Sequence, residues 1–480
     1  MSSKAQMDRI SARPDRVVFS FVVDSHPRFM YQGYHLARSI LEHCPVGGKA
    51  IHVHVTSDVT AGTRAVFADL GCEVVEIERF GDGRHCNKIA QLSALASSDF
   101  DLAVLLDTDT MLLEDILPQL DCDAIIAKVV GFANPSLEAL REIAHRAGVP
   151  KLPAIIPTDG VPGETFAANC NGGVYAIPAK FISTVARDWP HWSTWLLDNV
   201  EPLRREGKEA HVDQVAMWLT IAMNNLRWVS APSNLNYHLN FSGEHRYYRS
   251  DLPICLIHYH DAINVVGLIE PDFALNEFET AAVAKANAQI ARGFDNRVFW
   301  NFRYARYPER GSGFGSRDEP LYYKRSLLRA EGIEAAESVL DVGCGDLEVL
   351  RPFEFKNYLG LDSSEEAVNV ARAVRPDLNF HLLVQNRQEV IPIAAFVLCF
   401  EVLIHQNTLE EYLQLIDFLA RTTGEKLLVS GFDAHTPEFD ANHALHYHEP
   451  LTVSLARTRR FRTIEEIGAH TSVKIYRCLV

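Results

Sequence analysis

From residue 16 onward, short runs of β-branched and other apolar residues alternate with longer amphipathic stretches, the pattern of strands that cross over through helices. The first series predicts strands at 17–23, 50–56, 73–77, 102–106 and 124–128, with helices near 31–43, 60–70 and 88–96. Between 150 and 165, Pro and Gly interrupt the chain every few residues, so regular structure is not expected there. A second series starts late, with strands at 338–342, 358–361, 379–383, 395–399 and 426–430 and helical stretches at 364–375 and 409–420. Each series has its own first strand and first turn, which predicts two α/β domains. Between them, 273–289 is Ala-rich and favours helix, and 294–324 is rich in Arg, Tyr, Phe and Gly. The boundaries that follow are a disordered leader at 1–15, a first domain at 16–268, a helical linker at 269–295 and a second domain at 296–480 that begins with a lid segment.

Composition narrows the function classes. A chain of 480 residues holds two to four domains at about 100–200 residues each, and 47% hydrophobic with 22% charged residues is globular. A formal net charge of −16 argues against nucleic acid or anionic lipid as the main partner, because those surfaces need a local excess of Lys and Arg. The nine cysteines are odd in number and scattered, with no C-x-x-C pair, the pattern of a reduced, cytoplasmic protein. The first apolar run, 17–23, is too short for a secretory signal, and the longest, 390–400, is about half of the roughly 20 residues a membrane span needs. No transmembrane segment is expected, and oligomerisation is left open.

In the first half, the apolar strand at 102–106 stops at Asp107-Thr108-Asp109-Thr110. Two carboxylates at the carboxyl edge of a parallel sheet lie where open α/β folds bind ligands, and hard oxygen donors there suit Mg²⁺ or Mn²⁺. The tripeptide alone is weak, and the chain carries its own control in Asp121-Cys122-Asp123, which precedes a strand and reads as a turn.

With its other motifs, the stretch 17–265 resembles the GT-A glycosyltransferases, within them the retaining family of glycogenin and the bacterial galactosyltransferases of lipopolysaccharide assembly. The resemblance implies that Val23, Asp24, Tyr31 and Gly33 form the nucleotide pocket and that Lys88 contacts the sugar nucleotide. It implies Asp107, Asp109 and His258 as metal ligands, and Asn171-Gly172-Gly173-Val174 as the strand lining the donor sugar. Asp213 and Gln214 match a pair beside the anomeric carbon. The implied cofactors are Mn²⁺ or Mg²⁺ and a nucleotide sugar, a UDP-sugar first. Asp213, Gln214 and Asn171 would stabilise an oxocarbenium-like centre and position the acceptor hydroxyl. Blander readings stand beside these: Lys88 as a surface residue, Asp213 as a helix cap, and His260 rather than His258 as the ligand on the same strand face. The chain departs from the family after the histidine, reading His258-Tyr-His-Asp-Ala-Ile-Asn264 in place of Gly-x-x-Lys-Pro-Trp. Arg246 or Arg249 is the candidate replacement for the missing lysine.

In the second half, Ser338-Val-Leu-Asp341-Val-Gly343-Cys-Gly345-Asp346 runs from a strand into a tight glycine turn, and the next strand ends at Asp362. The backbone can approach a ligand closely at such glycines, and an acid at the second strand end suits a ribose diol. The turn lacks the third glycine of a dinucleotide cradle. It resembles motif I of class I S-adenosylmethionine-dependent methyltransferases, a Rossmann-like fold, with Leu347 where many members carry a further glycine. That resemblance implies cofactor binding by Asp341, Gly343, Gly345, Asp362 and Glu401, and places Glu401 to His405 at the catalytic edge after the fourth strand. The segment 303–325 resembles a leader that folds over the cofactor in one group of these enzymes. His405 is the candidate general base, with His443, His446 and His448 as rivals. The whole reads as a bifunctional enzyme that adds a sugar to a glycan acceptor and then O-methylates the product. The alternatives are tailoring of a small natural product, or one domain serving only as a binding module.

Overall fold

Seven consecutive apolar or small residues make β1 (Val17–Val23), which lies at the centre of the first sheet. The structure, a computed structural model, describes residues 16–239, 245–383, 391–437, 439, 442–470 and 472–480. The leader at 1–15 lies outside the described residues. Two compact units are present, one running through Asn264 and including Leu268–Gln289, the other formed by Val265–Gly267 with Ile290–Val480.

In the first unit, β2 (Ile51–Thr56), β3 (Glu73–Ile77) and β4 (Leu102–Leu106) extend the sheet in parallel around β1. The order is β10-β6-β9-β4-β1-β2-β3, where β6 is Ile125–Ala127, β9 is Val174–Pro178 and β10 is Trp228–Ser230. β9 runs antiparallel to both its neighbours, so the chain before it, 171–173, lies beside the carboxyl end of β4. A second, three-stranded sheet pairs β5 (Thr110–Leu112) with β12 (Leu256–His258) and β11 (Tyr237–His238), setting His258 opposite Thr110. The flanking helices close over a core that includes Trp189, Trp218, Leu140 and Phe166. Caps mark their starts: His26 accepts from the Arg28 N–H ahead of Pro27–His43, and Ser136 caps Leu137–Ala147, which ends at a left-handed Gly148.

Three expectations change. The Pro- and Gly-broken stretch after residue 150 forms a hairpin, β7 (Ile155–Pro157) against β8 (Glu164–Phe166), because Phe166 is anchored in the core. The helix expected at 88–96 is two short ones, Asn87–Ala90 and Leu92–Leu95, meeting at Gln91, whose side chain bonds the Lys88 carbonyl and the Ser20 hydroxyl. The segment expected to link the two domains is helical, but through Gln289 it is part of the first unit. Glu277–Arg292 buries Val283 and Ala286, and its Asn287 side chain exchanges two 2.8 Å hydrogen bonds with the Ile269 backbone inside the first unit.

In the second unit, β13 (Val339–Val342) pairs in parallel with β14 (Tyr358–Asp362) on one side and β16 (Ala394–Cys399) on the other. The full order is β15-β14-β13-β16-β17-β19-β18, with β15 Asn379–Leu382, β17 Thr423–Gly431, β18 Thr463–His470 and β19 Val473–Leu479. β19 is antiparallel to both β17 and β18. The two half-sheets diverge between β13 and β16, and an open α/β sheet leaves its ligand crevice at the carboxyl ends there. The sequence pattern did not predict β18 and β19. Their exposed Glu and Lys positions obscure the strand alternation.

Candidate functional site

In the first unit, β4 is wholly buried and delivers Asp107 to the sheet edge. The Asp107 N–H donates to the Gly173 carbonyl at 3.0 Å, and the Tyr259 N–H donates to the Asp109 carbonyl at 3.1 Å, so backbone contacts from two other segments hold the turn. Lys88 Nζ lies 2.7 Å from Asp107 Oδ1 and 3.2 Å from Asp213 Oδ2, and donates to the Gly172 carbonyl at 3.3 Å. Burial alone would lower the lysine, but the two carboxylates raise it above its ordinary value, so it stays charged. Asp213 is 2% exposed; burial raises its carboxyl, and its Oδ1 has no hydrogen-bond partner among the described residues. It does not cap its own helix, Val212–Met223, so the cap reading is set aside in favour of the contact with Lys88.

Gly172 and Gly173 are required by close approach. A Cβ on Gly172 would stand 3.0 Å from Lys88 Nζ, and one on Gly173 would stand 2.7 Å from the His258 ring. Asn171 Oδ1 accepts from the Gly173 N–H at 2.9 Å and from Asn236 Nδ2 at 2.8 Å. The Asn236 oxygen in turn accepts from His258 Nδ1 at 3.1 Å, which leaves Nε2 as the free face, 3.3 Å from Asp109 Oδ1. His260 Nδ1 is 3.9 Å from Asp109 Oδ2. Burial would raise the Asp109 carboxyl, yet His258 and His260 hold it down to about 2.

Several expected site residues are placed differently. The side chains of Val23 and Tyr31 are 0% and 2% exposed, and Gly33 is pressed against Val23 and Phe21, so these three side chains pack in the core. Asp24 does reach the edge, where Arg79 and Asn87 hold it at 2.7 and 3.2 Å. Asp107 lies on Lys88, apart from the Asp109, His258 and His260 group. Arg249 pairs with its near neighbour Asp251 at 2.5 Å, both side chains exposed. Gln214 Nε2 contacts His211 Nδ1 at 3.1 Å. The control tripeptide is a turn, with Asp121 Oδ1 accepting from the Asp123 N–H.

In the second unit, the glycine turn after β13 takes left-handed conformations at Gly343 (φ +80°) and Gly345 (φ +55°). A Cβ on Gly343 would overlap Val402 at 2.1 Å. Leu347 also sits at φ +61°, so the position where relatives of this turn carry glycine keeps the glycine conformation with a leucine. Asp362 accepts from the Gly345 N–H at 2.9 Å and the Ser364 N–H at 2.8 Å, and Asp341 accepts from the Tyr358 hydroxyl at 2.9 Å. Burial pushes Asp341 up to about 7 and Asp362 to about 6.

These groups open on a cavity of about 750 Å³ bordered by Gly343, Asp362, Leu383, Trp300, Tyr304 and His405. Its floor is the sheet edge and one side is the 303–317 segment. There the Ser312 hydroxyl donates to Asp346 Oδ1 at 2.7 Å, and Arg317 reaches Asp346 Oδ2 at 2.5 Å. Lys324, 0% exposed, donates to the Gly315 carbonyl at 2.7 Å and pairs with Glu401 at 2.9 Å; His470 reaches the same carboxylate at 2.6 Å. Burial would raise Glu401, but His470 and Lys324 hold it down to about 2. Its carboxylate is thus taken up by Lys324 and His470, although the residue borders the cavity.

His405 Nδ1 lies 2.6 Å from the Ala444 carbonyl, so the proton sits on Nδ1 and Nε2 is the basic atom. Burial lowers its pKa and keeps the ring neutral near pH 7. Of the rival histidines, His448 Nε2 is on the Gln406 carbonyl, and His443 and His446 pack around Phe294. Sequence reading missed Arg79, Asn236 and His470. Each lies dozens of residues from the group it serves, with no local spacing to mark it.

Residues 316–465 match a methyltransferase domain family. Comparison with curated proteins gives no match. Among solved structures, the chain resembles magnesium protoporphyrin IX methyltransferase from Synechocystis PCC 6803 with 17% identity and a TM-score of 0.28, over 33% of this chain and 81% of that one. It also resembles the N-methyltransferase NodS from Bradyrhizobium japonicum WM9 with 11% identity and a TM-score of 0.29, over 35% and 90%. Human N-acetylserotonin methyltransferase aligns with 14% identity and a TM-score of 0.27, over 32% and 51%. By the family match the chain carries a methyltransferase domain at residues 316–465.

Proposed function

We propose that the second unit transfers a methyl group from S-adenosylmethionine to an oxygen of its acceptor, and that the first unit is a metal-dependent glycosyltransferase acting on the same glycan or glycosylated product. The observation that carries the methyl-transfer reading is the meeting of the glycine turn, Asp362 and the neutral His405 on one cavity. When bound, the cofactor supplies an electrophilic methyl group. The turn's backbone allows close approach, Asp362 is placed to accept from ribose hydroxyls, and Tyr304 and Ser312 screen the cavity from water. His405 Nε2 is poised to take the acceptor's proton while Nδ1 stays anchored on Ala444.

The glycosyl-transfer reading rests on the two carboxylates, the buried lysine and the histidine that converge around Gly172-Gly173. Carboxylate oxygen and imidazole nitrogen are suitable donors for a divalent ion, which supplies Lewis-acid stabilisation of a leaving diphosphate. Lys88 offers a fixed positive charge beside that position. Carrying both activities on one chain raises the local concentration of one product at the other site, up to about millimolar for a short connection.

Isothermal titration with S-adenosylmethionine tests the first half of the proposal, with wild type binding and a D362A variant weakened. Nucleotide-sugar hydrolysis tests the second, with activity in wild type and none in the D107A/D109A double variant. Absence of binding in the first assay, or equal hydrolysis by both proteins in the second, sinks the corresponding half. If unglycosylated acceptor is methylated as fast as glycosylated acceptor, the order of the two steps is wrong.

A further inference from the structure

We propose that the metal ion of the first unit is held by Asp109, His258 and His260, and that Asp107 is the counter-ion of Lys88 and not a ligand. This rests on the reading of that unit as metal-dependent. The donor atoms of Asp109, His258 and His260 all lie within 4.8 Å of one another, a spacing one ion can bridge, and Asp107 falls outside the group. Its Oδ1 is 2.7 Å from a lysine nitrogen that is itself buried between two carboxylates. An ammonium seated there neutralises Asp107 without leaving that oxygen for a cation.

The turn after β12, closed by the Ala262 N–H donating to the Tyr259 carbonyl at 3.1 Å, brings His260 back to the same place. β12 ends at His258, and two residues later His260 sits at φ +54°, a conformation L residues rarely adopt. The chain is held in it by Gln32, 2% exposed, whose Nε2 donates to the His260 carbonyl at 2.8 Å. The strained residue sets its ring 4.2 Å from that of His258, while His238 packs against both at 4.7 and 5.2 Å. The His258 tautomer set by Asn236 aims the Nε2 lone pair at an Asp109 oxygen 3.3 Å away. A divalent cation seated between them takes the place of a shared proton. A set of two imidazole nitrogens and one carboxylate oxygen favours Mn²⁺ or a neighbouring transition ion over Mg²⁺, which prefers oxygen alone.

Electron paramagnetic resonance of Mn²⁺ titrated into the full-length protein, without nucleotide, reads the ligand set directly. Relative to wild type, D109N and H260A each weaken binding about tenfold or more, whereas D107N stays within about threefold. Pulsed measurements detect two imidazole nitrogens on Mn²⁺ in wild type and one in H260A, and excess Mg²⁺ fails to displace the ion. His260 is half-exposed at its ring, so the H260A circular dichroism melt matches wild type; D107N leaves Lys88 with Asp213 alone and melts lower but still cooperatively, and binding is read well below that melt. A D107N loss equal to that of D109N, an H260A protein that binds like wild type, or a wild-type protein that binds no Mn²⁺ overturns the ligand set. Hydrolysis of the sugar nucleotide is measured separately: its absence with metal binding intact counts against the glycosyltransferase reading and leaves the ligand set standing.

Discussion

Replacing Lys324 with Met tests how the 303–317 segment and the edge of β16 are held together. Lys324 is enclosed on the helix Asp318–Ala330, with its ammonium 2.9 Å from Glu401 and 2.7 Å from the Gly315 carbonyl. Against the ordinary glutamate value of 4.5, a carboxyl held at about 2 represents about 3 kcal/mol of favourable interaction with the charged form, shared between His470 and Lys324. Burial lowers the Lys324 ammonium even though Glu401 opposes it, so the pair contributes little beyond its own desolvation cost. Removing one partner exposes that cost: K324M is expected to destabilise the second unit by about 3 kcal/mol, within the range for a broken buried pair. Removing both charges in K324M/E401Q should recover more than half of the loss. The depressed Glu401 contributes stability that is present above about pH 4.5 and lost as pH falls toward about 2, so K324M should also flatten the acid limb of the stability curve. The assay is urea unfolding of the four proteins of the double-mutant cycle, followed at pH 7 and pH 4. Strict additivity, with E401Q giving no rescue of K324M, refutes the reasoning.

Other outcomes follow from the same geometry. Asp341 is raised from 3.8 to about 7, so its contribution is fully present below about pH 4 and is lost as pH rises through 7; D341N should remove that decline, read from the unfolding midpoint at pH 5 and pH 8. In G343A the added Cβ meets Val402 at 2.1 Å in a left-handed backbone costing about 1–2 kcal/mol, and S-adenosylmethionine binding by calorimetry should be lost before the fold is. H405N should lower kcat for methyl transfer about 100-fold or more while leaving cofactor affinity unchanged, since the ring acts on the acceptor's proton. G173A drives a methyl group into the His258 ring, and nucleotide-sugar hydrolysis should disappear while the circular dichroism spectrum persists.

Much of the second unit was legible because its signals are local. Asp341, Gly343 and Gly345 stand within one turn, and the structure brings them to the same cavity as Asp362 and His405. The first unit was harder. Asp107 and Asp109 are adjacent in sequence, but whether each faces a lysine or an imidazole depends on Lys88 and on His258 and His260, which lie far away along the chain. Tyr31 and Val23 looked like pocket residues from their neighbours in the motif; only the fold shows that both side chains are interior, Tyr31 on the buried face of the helix Pro27–His43.

By itself, the order of apolar and polar residues determined two α/β series, the strand ends that carry acids and the glycine turn, because backbone geometry and strand periodicity act over a few residues. The tertiary structure alone decided which charges meet. Among the described residues, Lys88 neutralises Asp107, His260 joins Asp109, and Lys324 with His470 takes up Glu401, since electrostatics at a few ångströms depends on distances that only the folded chain sets.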